Sequence, residues 1–352
     1  MSAQYSGIDI LLHDHLDGAF PLNSSLVPLY VLNRLPIPIG TNLVNKVLNN
    51  FRDPHADILQ AFSHVISLMQ SWETIFYAAK NHVIIRARQG IKYDEFMLAP
   101  QYHLQGEFKE EAKIDPVRAM ARVIEAVVAG IKAAEEEYPK IEANFLVAIG
   151  RELDPNQAMK VLQAVETSDR DYVVGFNLVC DESQHPPEKH IATYEYAAAA
   201  EINADCHVAE WVRRPNQKPD FERDLPALLR NLRTAFLRLK NLKRAGHCTA
   251  LGYDPEMMKF AIDHNIGITY CPGSNLQGGN IPNIKALRLR YVLGAGVLAS
   301  INPDDDFFQP NIHQVSQMCD DEYRFNKEER NKLRLNAWNT RFGHRKQHEI
   351  NP

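Results

Sequence analysis

Eight short runs of β-forming residues recur along the chain, and helical patterns separate them. The clearest are Ile8–Leu12, Asn144–Ile149, Tyr172–Phe176 and Ile266–Tyr270; Glu95–Leu98, Ala204–Val208, Arg244–His247 and Gly296–Ile301 complete the set. Strands joined through helices need right-handed crossovers, which build a parallel sheet. Eight such units predict an α/β fold, a (β/α)8 TIM barrel, with a doubly wound open sheet as the alternative. No glycine-rich phosphate loop follows the first run, which counts against a dinucleotide-binding version of that alternative.

Asp115-Pro116 predicts a helix start, with Asp as N-cap and Pro at the first helical position. Val117, Ala121, Ile124, Val128 and Ile131 follow on one face, ahead of Glu135-Glu136-Glu137, read as solvated. Further helices are expected over about 156–166, 190–200, 225–240 and 254–264. The stretch 21–71 is too long for a simple βα loop and carries helical signals of its own. It reads as a helical insertion over the barrel mouth. No repeat or linker interrupts the pattern, so residues 1–352 are expected to form a single domain.

A chain of 352 residues, 45% hydrophobic and 24% charged, can bury a large core. The formal charge of −5 argues against a nucleic-acid partner. The basic stretch from Arg230 to Arg244 alternates with Leu and Phe, so it reads as the solvated face of a helix. Five cysteines, at 180, 206, 248, 271 and 319, form no C-x-x-C pair. Met1-Ser2-Ala3-Gln4-Tyr5 is not a signal pattern, and no apolar run reaches the length of a membrane span. Reduced thiols, a cytoplasmic location and no membrane partner are expected. Oligomeric state is not encoded in any recognisable pattern.

The chemistry concentrates after the strands. His13-Asp14-His15 follows the first run, and strand residues two apart share a face, so both imidazoles can reach one ion. Zinc suits such nitrogen ligands. Alone the pair fits two hydrogen-bonded surface histidines equally well. But the fifth run ends in His207-Val208-Ala209-Glu210, the sixth in Gly246-His247, and Asp304-Asp305-Asp306 follows the eighth. In a barrel these C-terminal ends share one mouth, where active sites are built.

These segments, in order, resemble the adenosine deaminase family of the amidohydrolase superfamily. His13-Asp14-His15-Leu16-Asp17-Gly18 is similar to the family's H-x-H-L-D-G, and Gly175 to Glu182 to its G-x-D-L-x-G-x-E. His207–Glu210 takes the place of H-A-G-E, and Arg244–Cys248 of R-x-G-H-G. Cys271–Asn275 resembles C-P-x-S-N, and Ser300–Asp305 resembles S-x-N-T-D-D. The resemblance implies one zinc per chain, held by His13, His15, His207 and Asp304, with a water whose pKa falls toward about 7. It implies that His247 takes or orients the water's proton, with Asp304 assisting. Glu210 would protonate purine N1, which needs a carboxyl kept neutral by burial. Asp305 would meet purine N7, the Cys180 backbone N–H purine N3, and Asp17 a ribose hydroxyl. Leu59 and Phe62, with Ile58 and Val65, would form the apolar face of a lid over the base. The implied reaction converts adenosine and 2′-deoxyadenosine to inosine and 2′-deoxyinosine plus ammonia, in purine metabolism.

The departures concern the pocket. Cys180, Ala209 and Cys248 stand where the family has Gly, Asn177 where it has Asp, Pro303 where it has Thr, and Asp306 where it has Pro. Retained metal chemistry with a reshaped pocket is therefore expected. Cys180, Cys206, Cys248 and Cys271 are expected near the mouth as small buried hydrophobes, thiolate ligation of a metal being the alternative. His103, His185, His264 and His313 match no motif and read as surface or packing residues. A deaminase of a modified adenosine or another aminopurine is the second functional reading, and a weakly catalytic nucleoside-binding protein the third. Adenine deaminases of the family carry Glu at the position of Asp17, so Asp17 favours a nucleoside. A bridging Lys after Gly175 is absent, which counts against a two-metal hydrolase.

Overall fold

A computed structural model of the chain describes residues 7–18, 26–35, 58–212, 219–306 and 309–348. Its strands are β1 (Ile10–His15), β2 (Tyr93–Leu98), β3 (Glu142–Gly150), β4 (Val173–Val179), β5 (Ala204–Val208), β6 (Arg244–His247), β7 (Gly267–Tyr270) and β8 (Leu298–Ile301). They form one eight-stranded sheet in sequence order, every consecutive pair parallel. β8 meets β1 at the mouth, through a bridge between Asp14 and Asp304. The Leu12 N–H donates to Asn302 Oδ1 at 2.8 Å just below it. The fold is the expected α/β (β/α)8 barrel.

Two strands extend past their apolar runs. β1 reaches His15 rather than Leu12, so His13 and His15 lie within the strand and not after it. β4 continues to Val179 and takes in Asn177. The polar continuations are held by partners, such as Asp14 against Phe96 and Asn177 against Ala148. Local hydrophobicity cannot signal such pairing.

The helices form as their end signals direct. Asp115 Oδ1 accepts the Arg118 N–H at 3.0 Å and starts the helix Pro116–Glu137. That helix packs Val123, Ile124, Val127 and Ile131 into the main core. Two expectations fail here. Glu135 is buried, not solvated: it accepts the Ala143 N–H at 2.8 Å and pairs with Arg345. Arg244 does not belong to a solvated helix face, because it begins β6 and is fully buried. It bonds Asp205 of β5 at 2.7 Å and Glu95 of β2 at 2.6 Å. β2 and β6 lie on opposite sides of the ring, so this ion pair spans the barrel's interior. Glu95 also accepts the N–H of Phe342 at 2.5 Å, and the Phe342 ring lies 4.2 Å from the Arg244 guanidinium. The C-terminal tail thus runs beneath the barrel.

Of the insertion at 21–71, two helices are described, Leu26–Leu32 and Ile58–Leu68. Leu29, Tyr30, Val65 and Leu68 are buried in the main core, and Tyr30 Oη bonds His64 Nε2 at 2.5 Å. Phe62 is half-buried against the same core. The side chains of Ile58 and Leu59, and residues 36–57, lie outside the described residues. The expected lid face is therefore in part a packing face.

Candidate metal centre

The barrel closes where the candidate ligands meet. The His15 N–H donates to the Asp304 carbonyl and the Asp304 N–H to the His13 carbonyl, each at 3.3 Å. Side chains from β1, β5 and the end of β8 converge above this closure. His207 Nε2 lies 3.1 Å from His13 Nε2 and 3.2 Å from His15 Nε2. Asp304 Oδ1 lies 3.3 Å from each of the two β1 histidines.

This arrangement fits a metal ion. Zinc bonded at about 2.0–2.2 Å sets tetrahedral donors about 3.3 Å apart. The ring tautomers agree. Asn177 Oδ1 accepts both the His207 backbone N–H at 3.1 Å and the His207 Nδ1–H at 2.9 Å. A backbone N–H can only donate, so it fixes which end of the amide faces the ring. His207 Nε2 is then bare and points into the cluster. His13 Nδ1 is held likewise by Thr269 Oγ1 at 3.1 Å, again turning Nε2 inward. Second partners of this kind orient metal-binding imidazoles. Burial, His13, His247 and His15 hold His207 well below its ordinary pKa. Burial opposes the charge on Asp304, but His247, His13 and His15 hold its carboxyl well below the usual range. Neutral imidazole at His207 beside carboxylate at Asp304 suits a divalent cation, whereas His15, whose burial opposes its charge but which Asp305, Asp304 and Asp17 raise to about 10, must give up its proton to bind one. Among the described residues, the groups able to hold a metal here are His13, His207, His247 and Asp304, and His15, Asp304 and Asp305. No cysteine belongs to them, and all five thiols are free. Cys206, Cys248 and Cys271 are buried as small hydrophobes, as expected, whereas Cys180 is only part-buried.

Space for His13 comes from Gly246 on β6, where a Cβ would lie 2.7 Å from His13 Nδ1. His247 is fully buried, with Nδ1 held by Asn275 Nδ2 at 3.1 Å. Among the described residues its Nε2 has no hydrogen-bond partner, and it lies 3.7 Å from Glu210 Oε2. Burial pushes the His247 ring down to about 3. Burial, reinforced by Asp304 and Glu182, pushes the Glu210 carboxyl well above its ordinary value. Asp305 is raised well above its ordinary value too, by burial and Asp304, and its Oδ1 is buried with no hydrogen-bond partner among the described residues. Gly18 makes room for that side chain, since a Cβ there would lie 2.8 Å from Asp305 Cβ.

The three departures from Gly share one backbone property. Cys180, Ala209 and Cys248 have φ of 78°, 51° and 44°, in the left-handed region that Gly enters without steric cost. His247 and Asp304 are also left-handed, at 62° and 69°. Such conformations cluster where a fold holds functional groups under constraint. Cys180 Sγ lies 3.4 Å from Tyr102 Oη, which donates to Glu152 Oε1 at 2.6 Å. Asp17 is buried, with its pKa raised by burial and lowered in part by His15.

Several residues that shape the centre carry no strong sequence signal. Arg86, on the helix Trp72–Arg88, donates to both oxygens of Asp14 at 2.6 and 2.8 Å and to Asp306 at 2.5 Å. It thereby ties β1 to the segment after β8. His82 bonds Asp94 at 2.9 Å alongside. Arg151 donates to the His207 carbonyl behind the cluster. His103 is a packing residue, as read: fully buried, its Nδ1 donates to the Met69 carbonyl at 2.6 Å. A cavity of about 330 Å3 opens outside the β1–β8 seam, lined by Ile8, Ile10, Ile301, Phe325 and Leu333 among others; no candidate site residue lines it.

A family model described as adenosine deaminase matches residues 9–350. The chain belongs to the adenosine deaminase family. It is an amidohydrolase-type enzyme, an aminohydrolase, and the buried His/Asp cluster suits the metal such deaminases use. An adenosine deaminase of Lactococcus lactis is 25% identical over 304 residues, covering 84% of this chain and 76% of that protein. The adenine deaminase of Arthrobacter aurescens superposes with a TM-score of 0.77 at 18% identity, covering 96% of this chain and 94% of that one. An amidohydrolase of Burkhoderia ambifaria with bound Zn also gives 0.77, at 19% identity, covering 98% and 89%. The Arabidopsis N6-mAMP deaminase gives 0.73 at 19% identity, covering 97% and 95%. At these identities the superpositions establish the shared barrel. Among the described residues, no helix is long and apolar enough to cross a membrane.

Proposed function

We propose that this family member is a zinc-dependent deaminase of adenosine and 2′-deoxyadenosine, with one ion per barrel held by His13, His15, His207 and Asp304. When bound, zinc supplies a water acidic enough to act as nucleophile near neutral pH. His247, through Nε2, would take or orient a proton of the attacking water, and Asp304 would assist. Glu210, kept neutral by its surroundings, donates a proton to purine N1 and makes C6 electrophilic. Asp305 in its neutral form donates to purine N7, which has only a lone pair to offer. Asp17 bonds a ribose hydroxyl, and the Cys180 N–H meets purine N3. Phe62 covers the base from the helix Ile58–Leu68. Water replaces the 6-amino group, giving the 6-oxo purine and ammonia. The substrate is a small purine nucleoside in purine metabolism.

One observation carries the reading: Glu210 and His247 lie 3.7 Å apart beside the ligand cluster, one carboxyl pushed up and one imidazole pushed down by burial. Groups whose surroundings drive their pKa values apart are paired acid and base. Nucleoside preference is supported by Asp17. A second reading, a modified adenosine or another aminopurine, is supported by the replacement of Gly at Cys180, Ala209 and Cys248.

The test is a panel of adenosine, 2′-deoxyadenosine, adenine, AMP and N6-methyl derivatives, followed by ultraviolet absorbance with and without chelator. Adenosine turnover that stops with chelator and returns with zinc is expected. Glu210→Gln should lower kcat by about 10²–10⁴-fold while the chain still binds zinc. No turnover of any aminopurine by the zinc-loaded protein would sink the proposal.

A further inference from the structure

Glu182 has no part in the chemistry assigned above, yet it is buried directly behind the proposed acid. Its Oε2 accepts the N–H of Ala209 at 2.9 Å, and its Oε1 accepts the N–H of Glu210 at 3.0 Å. The backbone of Trp211 bonds it as well; burial pushes its carboxyl up to about 7, while Arg151 and the three backbone N–H groups favour the carboxylate. Successive backbone N–H groups that converge on one anion form a nest, which needs a left-handed residue in the run. Ala209, at φ 51°, supplies it. An L side chain resists that conformation unless neighbouring structure enforces it.

The opposite face of the same segment is also held. Thr249 donates its N–H and its hydroxyl to the Ala209 carbonyl at 3.0 and 2.5 Å. The Cys248 N–H donates to the Val208 carbonyl at 3.0 Å, and Arg151 to that of His207. The segment 207–211 is therefore bonded from both sides. Glu182 supplies the bonds on the side where the Glu210 backbone turns toward the mouth. Whatever sets the backbone at 209 and 210 also sets where the Glu210 carboxyl points.

We propose that Glu182 is a positioning residue: its carboxylate fills the N–H nest at 209–211, holds Ala209 left-handed and so aims Glu210 at the ring nitrogen it protonates. This rests on the reading of Glu210 as proton donor. Gln at 182 keeps the size, but its amide NH2 faces a backbone N–H, donor against donor. Asp at 182 keeps the charge but is shorter by one methylene.

The experiment compares zinc-loaded wild type with Glu182→Gln, Glu182→Asp and the double variant Glu182→Gln/Ala209→Gly. Three readouts are taken: kcat and KM for adenosine, zinc per chain, and backbone hydrogen exchange across 207–212. For Glu182→Gln, kcat should fall about a hundredfold, the cost of a misplaced catalytic group, with KM and zinc content little changed. Exchange across 207–212 should quicken while the remaining barrel is unaffected. Ala209→Gly should recover much of the lost kcat, because Gly keeps the left-handed turn without an anion. Unchanged kcat, lost zinc, or a loss that Ala209→Gly does not repair overturns the proposal. So does failure of both single variants to fold, since Glu182 would then serve the barrel rather than the acid. If wild type deaminates no aminopurine, the reading of Glu210 fails, and exchange alone decides: quickening at 207–212 supports the nest, and no change overturns it.

Discussion

His13 and Gly246 are complementary: the imidazole occupies the space a side chain at 246 would need, since a Cβ there would lie 2.7 Å from His13 Nδ1. Both residues are rigidly placed, one in β1 and one in β6. Gly246→Ala should therefore displace the ring rather than the strand. Zinc affinity, measured by competition with a chelator, should fall by about 10–100-fold, as for other losses of ligand orientation. An unaltered affinity would remove His13 from the ligand set.

Asn177 holds His207 through its Oδ1, while its Nδ2 is buried with no hydrogen-bond partner among the described residues. Asp at this position, the family's residue, would place a charge behind the imidazole and make it a stronger ligand. Asn177→Asp should tighten zinc binding by about tenfold. The metal-free protein should lose about 1–3 kcal/mol, because the new carboxylate oxygen inherits a site without a donor. Urea unfolding with and without zinc reads both effects; weaker zinc binding would contradict the argument.

Fully buried Arg86 compensates the fully buried Asp14 and the part-buried Asp306. Arg86→Met should destabilise the protein by about 3–5 kcal/mol, the usual result of leaving buried charge unpaired. Asp306→Asn should cost less, because Asp14 still accepts two bonds from Arg86. Denaturant midpoints would order the variants, and equal losses would show that Asp14 is not the dominant partner.

Glu142 anchors the C-terminal tail. It accepts the N–H groups of Arg345 and Lys346 at 2.9 and 3.0 Å and bonds His348 at 3.0 Å. Burial raises its pKa, but these bonds prevail and lower it from 4.5 to about 2. A carboxyl depressed by folding stabilises fully above its ordinary pKa and loses that contribution as pH falls through its folded value. The stability difference between wild type and Glu142→Gln should therefore be constant above pH 4.5 and vanish as pH approaches about 2. A difference that persists unchanged at pH 2 would assign the tail's anchoring to other contacts.

The barrel was readable because strand and helix patterns are local and their alternation admits few topologies. His207, Glu210, His247 and Asp304 were readable because each sits where an apolar run stops. Arg244 and Glu135 were misread for the complementary reason: charged residues in sequence look solvated, and only partners far along the chain, Glu95 and Arg345, make their burial tolerable. Arg86 and Arg151 stayed invisible on the same ground.

By itself, the sequence determined the eight-unit order of the chain, the residue types of the cluster and the places where small residues had been replaced. Tertiary structure decided what those replacements mean. Cys180, Ala209 and Cys248 all sit at positive φ, a property of the backbone that no composition or spacing reports. It also brought His13 and His15 to within 3.3 Å of Asp304, some 290 residues later. A ligand set drawn from the first strand and the last exists only once the ring of strands is closed.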